Sequence, residues 1–403
     1  MDMNGNRGQE KNLHPGNPGR HISAFSKVRK AQIAPPAPDP ALRRLKFRAF
    51  DIARTSTAGR TVRFPLWGRP VTAYGNANLS IYSGQACNAK CPFCVEELRP
   101  ASRGTSLACQ KTVEGDDEVY FGALKEVLRA LRPLNPSVSI TGGEPSLDPR
   151  LPRTLRALEA HRMRKRTITT NGSGLLDVRE GRPVIDWLTS TGIRHLNLSR
   201  AHPDPARNGR LMGLERNLTP DDLVRILRRA SAGGTRARLS CVLLKGETDC
   251  LGGIIEYLAF AEAMGVDNVV FRQLMHPGPG APANDPVLGF SESNAVKLDP
   301  VLEQMTVDPR FTFIKQVVGY YYYVEVWKYR SIDVVFEEAD LGRIELTRRM
   351  MPGIIQELVF HPNARLASTW QPWDGVLGPP VCFRNESFAF HSAIRIPQSN
   401  ECQ

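Results

Sequence analysis

Three cysteines lie within eight positions of the stretch SGQACNAKCPFCVEE, residues 83–97. They are Cys87, Cys91 and Cys94, and the whole chain of 403 residues contains 8 cysteines. A disulfide uses two cysteines and a nucleophile needs one, whereas a closed zinc site needs four ligands, commonly in CxxC pairs. Three thiolates can hold three corners of a cubane iron–sulfur cluster and leave the fourth iron open. The spacing favours this cluster, and zinc stays an alternative if Cys109 or a histidine supplies a fourth ligand.

The composition indicates a globular protein, with 41% hydrophobic and 23% charged residues. No apolar run approaches the roughly 20 residues that cross a bilayer, and the first twenty residues contain no apolar core of a signal peptide. We therefore expect a cytoplasmic protein without a membrane partner. Thiols stay reduced in that compartment, so clustered cysteines are expected to act as metal ligands or catalysts.

The formal charge of +12 is concentrated at the start of the chain. Residues 1–70 contain 14 Lys plus Arg against 4 Asp plus Glu, a net charge of +10. The rest of the chain carries no basic groove by this measure, and nucleic acid is not predicted as a partner. We expect residues 1–70 to form a basic, largely disordered leader with one short helix near residues 40–50.

Strand-like and helix-like segments alternate from residue 77 onward, which predicts a parallel sheet with covering helices. Strands are expected at 77–83, 137–144, 166–172, 195–200, 236–244 and 268–275. Helices are expected at 117–133, 148–162, 184–190, 219–231 and 252–265, with Asp148 as an N-cap. These six β/α units predict a domain over residues 71–278, followed by a region at 279–403 with antiparallel strands (312–341) and a hairpin (355–368).

Four motifs follow the predicted strands in order. The motif Cys87-Asn-Ala-Lys-Cys91-Pro-Phe93-Cys94 follows the first strand, and TGGEP (141–145) ends the second. TTNG (169–172) ends the third strand, and LSR (198–200) ends the fourth. In this combination the sequence resembles the radical S-adenosylmethionine (SAM) superfamily over about residues 75–275. The resemblance implies a partial (β/α)6 TIM barrel with a C-terminal antiparallel α+β extension.

The resemblance also implies the roles of individual residues. The three cysteines ligate a [4Fe–4S] cluster, whose open iron is chelated by the amino and carboxylate groups of SAM. Gly142, Gly143 and Glu144 line the methionyl end, where glycines allow close backbone approach and a carboxylate accepts from an ammonium. The remaining contacts to SAM are expected from Phe93 at the adenine, from Ser199 and Arg200 at the ribose and carboxylate, from Asn171 as an assisting group, and from Leu243–Gly246.

The activity that the resemblance implies is reductive cleavage of SAM to a 5′-deoxyadenosyl radical, which abstracts hydrogen from a substrate carbon. The electron would come from a donor such as flavodoxin or ferredoxin. Cys382 and Cys402 form no CxxC pair, and residues 1–86 contain no cysteine, so a second cluster is not expected. The residues that would act as catalytic acid or base are not identified by the sequence.

A single cluster favours a small polar metabolite as substrate. Relatives of this design rearrange, deoxygenate or decarboxylate sugars and nucleosides in antibiotic biosynthesis. Modification of a peptide or an RNA is the alternative within enzymes, and a non-catalytic iron–sulfur or zinc binding module is the alternative of another class.

The C-terminal region is expected to cover the barrel mouth. The segment YYYYVEVWKY (320–329) alternates along a strand, so one of its faces would either stack on a substrate ring or pack on the barrel. Five polar side chains lie near predicted strand ends or loops and are further candidates, each of them equally compatible with a surface or capping role: His202, Arg210, Arg272, His276 and His361.

Overall fold

The computed structural model describes residues 36–50, 60–98, 107, 111–214, 216–275 and 286–378. Sixteen strands and eleven α-helices occur in these ranges. The strands are β1 (Thr61–Leu66), β2 (Arg69–Tyr74), β3 (Asn78–Tyr82), β4 (Ser137–Thr141), β5 (Arg166–Thr170), β6 (Val178–Arg179), β7 (Arg182–Pro183), β8 (His195–Ser199), β9 (Arg236–Val242), β10 (Asn268–Arg272), β11 (Phe311–Val318), β12 (Tyr322–Tyr329), β13 (Ile332–Ala339), β14 (Ile354–Ile355), β15 (Leu358–Phe360) and β16 (Leu366–Ala367).

The helices cover the sheet and its C-terminal extension. They are α1 (Pro40–Leu45), α2 (Val95–Leu98), α3 (Asp117–Ala130), α4 (Leu151–His161), α5 (Val184–Ser190), α6 (Pro205–Met212), α7 (Pro220–Ala232), α8 (Leu251–Ala263), α9 (Pro286–Asn294), α10 (Leu298–Val307) and α11 (Leu341–Met350). Short 3₁₀ helices span Lys46–Ala49 and Pro145–Leu147. None of the described helices has the length and apolar character needed to cross a bilayer.

Six parallel strands form the centre of the fold in the order β3-β4-β5-β8-β9-β10. Helices follow these strands and pack on one face, where side chains such as Leu196 and Leu239 are fully buried in the main core. The opposite, inner face carries the alternating residues, among them Asn197, Ser199 and Ser240. The predicted α/β barrel-type fold is confirmed, and its six strands lie where the sequence places them.

The sheet extends beyond these six strands at both edges. Strand β13 pairs with β10 in parallel, and β15 pairs with β3 in parallel. The predicted antiparallel strands are confirmed as β11, β12 and β13, and the predicted hairpin is confirmed as β15 and β16. The sequence did not predict the two parallel pairings, because both join strands that are distant along the chain.

The predicted N-cap of α4 is wrong. The helix begins at Leu151, and its N-cap residue Arg150 makes no side-chain capping bond. The carboxylate of Asp148 instead accepts hydrogen bonds from the Arg150 amide at 2.8 Å and from the Ser83 hydroxyl at 2.6 Å. Asp148 therefore joins the segment before α4 to the end of β3.

Part of the predicted leader is folded. The short helix expected near residues 40–50 is confirmed as α1, with Asp39 as its N-cap. Strands β1 and β2 form an antiparallel hairpin, and β14 pairs with β2 in parallel. Residues 36–50 and 60–70 thus differ from the predicted disorder, whereas residues 1–35 and 51–59 lie outside the described ranges. The division of the chain at residues 70 and 278 stays a prediction.

An ion pair connects α1 to strand β12. Arg43 donates from Nε and Nη2 to the two carboxylate oxygens of Glu325 at 2.7 and 2.8 Å. Glu325 is 0% exposed and also accepts from the Tyr323 hydroxyl at 2.5 Å and from Trp327 Nε1 at 3.0 Å. The Tyr323–Trp327 face of β12 therefore packs in the interior around a neutralised carboxylate, and stacking on a substrate ring is not its role.

We predict that Arg43→Met lowers the free energy of unfolding by about 3 kcal/mol, because the buried Glu325 carboxylate would lose its cation. Urea denaturation followed by circular dichroism measures this change. The exposed neighbour Arg44 provides the matched control, and Arg44→Met should change the free energy by less than about 0.5 kcal/mol. Equal effects of the two substitutions would contradict the assignment of the ion pair as a fastening contact.

Candidate functional site

A cavity of about 220 Å³ lies at the carboxyl ends of the parallel strands. The cysteine loop contributes Cys91, Phe93 and Cys94 to its wall. The strand ends contribute polar side chains on the inner face, and the segment that follows β10 contributes residues 273–275. Ligands of open α/β sheets bind at this end of the strands. The polar strand-end residues that line the cavity are Thr169, Ser199, Ser240, Arg272 and Glu337.

The cysteine loop is anchored by hydrogen bonds to the end of β5 and to the C-terminal end of α6. Asn171 donates from Nδ2 to the Asn88 side-chain oxygen at 2.8 Å, and the amide of Lys90 donates to the Met212 carbonyl at 3.0 Å. Burial raises the pKa of the Cys94 thiol to about 12 and that of Cys91 further, with the neighbouring cysteines adding to the shift at Cys91. Thiolates at this position therefore need a positively charged partner, as iron provides.

Within the described ranges, no three His, Cys, Asp or Glu side chains converge on one point to hold a single metal ion. Cys109, the other proposed zinc ligand, lies outside those ranges. The zinc alternative therefore stays a prediction, as do the cluster-ligand roles of Cys87, Cys91 and Cys94.

The Gly142–Gly143 turn lies directly against the cysteine loop. A Cβ atom on Gly142 would lie 1.9 Å from the Tyr82 ring, and one on Gly143 would lie 1.9 Å from the Gln85 carbonyl oxygen. The Gly143 amide donates to one carboxylate oxygen of Glu96 at 2.6 Å, and the Tyr82 hydroxyl donates to the other at 2.9 Å. Only glycine permits this approach at both positions. The predicted approach of the two glycines to SAM stays a prediction.

Glu144 is 1% exposed, and its carboxylate is held by groups of the protein itself. It accepts from the amide of Ser146 at 2.8 Å and its hydroxyl at 2.6 Å, from the Thr170 hydroxyl, and from the Asn171 amide at 2.7 Å. In this structure Glu144 joins the turn after β4 to the end of β5. Its predicted contact with a SAM ammonium remains a prediction, as does the assisting role of Asn171.

The other predicted SAM contacts lie around the cavity. The Phe93 ring centroid lies 6.3 Å from that of Phe290, and Ser199 pairs in register with Ser240. Arg200 lines the cavity but is 5% exposed, and its guanidinium donates to the Pro203 carbonyl at 2.8 Å and lies over the Phe260 ring. Its Nε atom is buried without a hydrogen-bond partner among the described residues. These roles stay predictions.

Of the five polar candidates, the structure places Arg272 in the cavity wall. Arg210 is exposed on α6, and His202 accepts from the Asp204 amide. His361 is buried, and His276 lies outside the described residues. The Leu243–Gly246 segment begins one residue after Val242, which lines the cavity wall.

Several site residues were missed by sequence reasoning. Glu96 follows the last cysteine by two positions, and Asn88 lies between the first two, so their place inside the motif was an available signal. Glu337 lies 65 residues beyond Arg272, and the parallel pairing of β13 with β10 brings the two into register. Nothing in the sequence around Glu337 indicates that β13 pairs with β10.

Residues 81–258 match the sequence profile of the family described as the radical SAM superfamily. This match supports the chain's membership of the superfamily. Its members use a [4Fe–4S] cluster and SAM. No curated protein matches the chain.

Solved structures with a similar fold include SuiB of Streptococcus suis, with 24% identity, a TM-score of 0.37, and coverage of 50% of this chain and 40% of that one. SuiB bound to its precursor peptide SuiA has 17% identity, a TM-score of 0.43 and coverage of 74% and 60%. TsrM of Kitasatospora setae, with tryptophan and a SAM analogue bound, has 15% identity, a TM-score of 0.35 and coverage of 60% and 42%. The chain thus spans 40 to 60% of the length of these proteins.

The residues present fit the two groups that the superfamily uses. The three thiols share one loop, and two of them, those of Cys91 and Cys94, line the cavity. The donor set is therefore suited to an iron–sulfur cluster, and the cavity next to it can hold a small organic ligand.

We predict that Gly143→Ala disrupts the cysteine loop, because the added methyl group would overlap the Gln85 carbonyl. The free energy of unfolding should fall by about 3 kcal/mol, and iron bound after anaerobic reconstitution should fall several-fold. Gly181 also has a positive φ, of 79°, but no atom lies within 4 Å of its added Cβ. Gly181→Ala should therefore lower the free energy of unfolding by only about 1 kcal/mol and leave the iron content unchanged. Equal iron loss in both variants would show that the contact between Gly143 and the Gln85 carbonyl is not what holds the cysteine loop.

We also predict that His361 makes the protein less stable in acid. The ring is 1% exposed, Nε2 lies 3.1 Å from the Thr369 carbonyl oxygen, and burial lowers the pKa of His361 to about 4. An unfolded histidine has a pKa near 6.5, so the unfolded chain binds the extra proton as the pH falls below that value. Between pH 7 and pH 5 the wild type should lose about 2 kcal/mol from this residue alone.

The measurement is urea denaturation at pH 7 and at pH 5 for the wild type and His361→Leu. The variant should be less stable at pH 7, but it should lose about 2 kcal/mol less than the wild type on acidification. Equal losses in the two proteins would show that His361 does not contribute to the acid sensitivity.

Proposed function

We propose that the chain is a radical SAM enzyme that abstracts hydrogen from a small polar metabolite. The observation that supports this most directly is the cavity wall, in which Cys91 and Cys94 lie with the inner-face residues Ser199 and Arg272. Its wall combines apolar side chains with a few polar groups, which is typical of sites that bind small molecules. The polar inner face would orient such a ligand beneath the cysteine loop.

The proposal assigns a role to each part of the site. Cys87, Cys91 and Cys94 would hold the cluster, and the residues 142–144 turn would hold the methionyl end of SAM. Phe93 would contact the adenine, and Ser199 and Arg200 would contact the ribose and the carboxylate. When bound, the cluster supplies the single electron that cleaves SAM to give a 5′-deoxyadenosyl radical. The apolar residues of the wall, such as Val242 and Leu274, would exclude water from the reaction.

The finer parts of the proposal concern the substrate and the partners. We propose a sugar or a nucleoside in natural-product biosynthesis as the substrate class, with flavodoxin or ferredoxin as the electron donor. We further propose that residues 71–278 form the barrel domain, and that residues 279–403 contribute to the substrate site. The contribution of Glu337 and Ala339 to the cavity wall supports this last proposal.

Anaerobic reconstitution tests the activity. The protein, supplied with iron, sulfide, SAM and dithionite, should produce 5′-deoxyadenosine, detected by chromatography and mass spectrometry. Cys91→Ala should reduce this product at least 100-fold, because the cluster would lose one of its three protein ligands.

The buried Cys241 on β9 provides the matched control, since it lies in the hydrophobic core rather than on the cysteine loop. Cys241→Ala should retain the product within about two-fold. A wild-type protein that binds zinc in place of iron and leaves SAM intact would favour the binding-module alternative and would end the enzyme proposal.

A further inference from the structure

The inner face of the sheet carries more positive than negative charge next to the cavity. Arg272 on β10 forms an ion pair with Glu337 on β13, with 3.4 Å between Nη2 and the carboxylate oxygen. Arg238 lies on the face of β9 that also carries Ser240 and Val242, both of which line the cavity. Arg272 and Glu337 line the cavity, whereas Arg238 lies four residues before Val242, deeper on the same face.

Arg238 is not neutralised by another acidic side chain. Its Nε atom donates to the side-chain oxygen of Asn268, and it forms no ion pair within 4 Å in the described part of the chain. Asp333, the other acidic residue on this face, pairs with Arg236 at 2.7 Å and with Lys328 at 2.9 Å. Burial and the Arg272 guanidinium lower the pKa of Arg238, as expected where positive charge is in excess.

An unsatisfied donor accompanies this charge. Among the described residues, Nε of Arg272 is buried without a hydrogen-bond partner. Buried polar groups are normally hydrogen-bonded, since an unpaired one costs about 1–3 kcal/mol. A donor that lacks a partner beside a wall of serines is therefore suited to a ligand that brings its own acceptor.

We propose that Arg272 binds an oxyanion, a carboxylate or a phosphate, on the substrate of the proposed enzyme, and that the positive charge of Arg238 on the same face adds to the attraction. The guanidinium fork matches the geometry of both groups. Glu337 tunes this site, because its carboxylate competes with the ligand for Arg272. The inference rests on the proposed function and adds to it the charge of the substrate and the residues that select it.

The test measures binding to reconstituted, SAM-loaded protein by saturation-transfer NMR under anaerobic conditions. The probes are D-glucuronate, D-glucose 6-phosphate and neutral D-glucose, so that the carboxylate and phosphate sources are separated. At least one anionic probe should bind ten-fold more tightly than glucose. Equal binding of all three probes, or a preference for glucose, would overturn the proposal.

Variants connect the preference to the named residues. Arg272→Met should weaken binding of the preferred anion at least five-fold, and Arg238→Met should weaken it by less. Glu337→Gln should strengthen it about three-fold, since Arg272 would lose its internal competitor. A purely structural ion pair would lower stability in Glu337→Gln without improving affinity, so unchanged or weaker anion binding in that variant would contradict the assignment.

The matched control is Arg225→Met, because Arg225 is exposed on α7 and pairs with Asp222 at 3.3 Å. It should change neither anion binding nor 5′-deoxyadenosine formation. Wild-type SAM cleavage is measured separately. Its failure would reject the proposed enzyme, whereas a lost anion preference in an active protein would reject only the oxyanion site.

Discussion

The close approach of the Gly142–Gly143 turn to the cysteine loop is the contact on which the site depends. The turn ends β4 and lies against Gln85 with no room for a side chain. Glu96, two positions after Cys94, accepts a hydrogen bond from the Gly143 amide. This bond holds the C-terminal end of the cysteine loop against the turn. The end of β4 and the cysteine loop are thereby held as one unit, which places Cys91 and Cys94 in the cavity wall.

The fold was predictable where local sequence patterns determine the secondary structure. Strands such as β8 alternate Leu196 and Leu198 with polar residues, and the motifs lie at the strand ends where a parallel sheet gathers them. The boundary of α4 was mispredicted because Asp148 is a good N-cap by type, yet its carboxylate bonds to Ser83. A local sequence pattern cannot show that the side chain of a potential capping residue is hydrogen-bonded to a residue distant along the chain.

The parts that escaped prediction depend on pairing over long distances in the chain. Glu337 reaches the cavity because β13 joins β10, and the alternation of β13 is the same in a parallel or an antiparallel pair. The face of β12 around Trp327 was compatible with ligand stacking or with packing, and the presence of Arg43 opposite Glu325 decided for packing. The roles of the individual site residues toward cluster and SAM stay predictions.

The ion pair between Arg43 and Glu325 also has a consequence for biosynthesis. The two residues are 282 positions apart, so α1 leaves the ribosome long before β12 has been translated. At roughly 5–20 residues per second, the delay is on the order of tens of seconds. During that time Arg43 on α1 lacks its partner Glu325. The barrel strands can therefore assemble before α1 packs against β12.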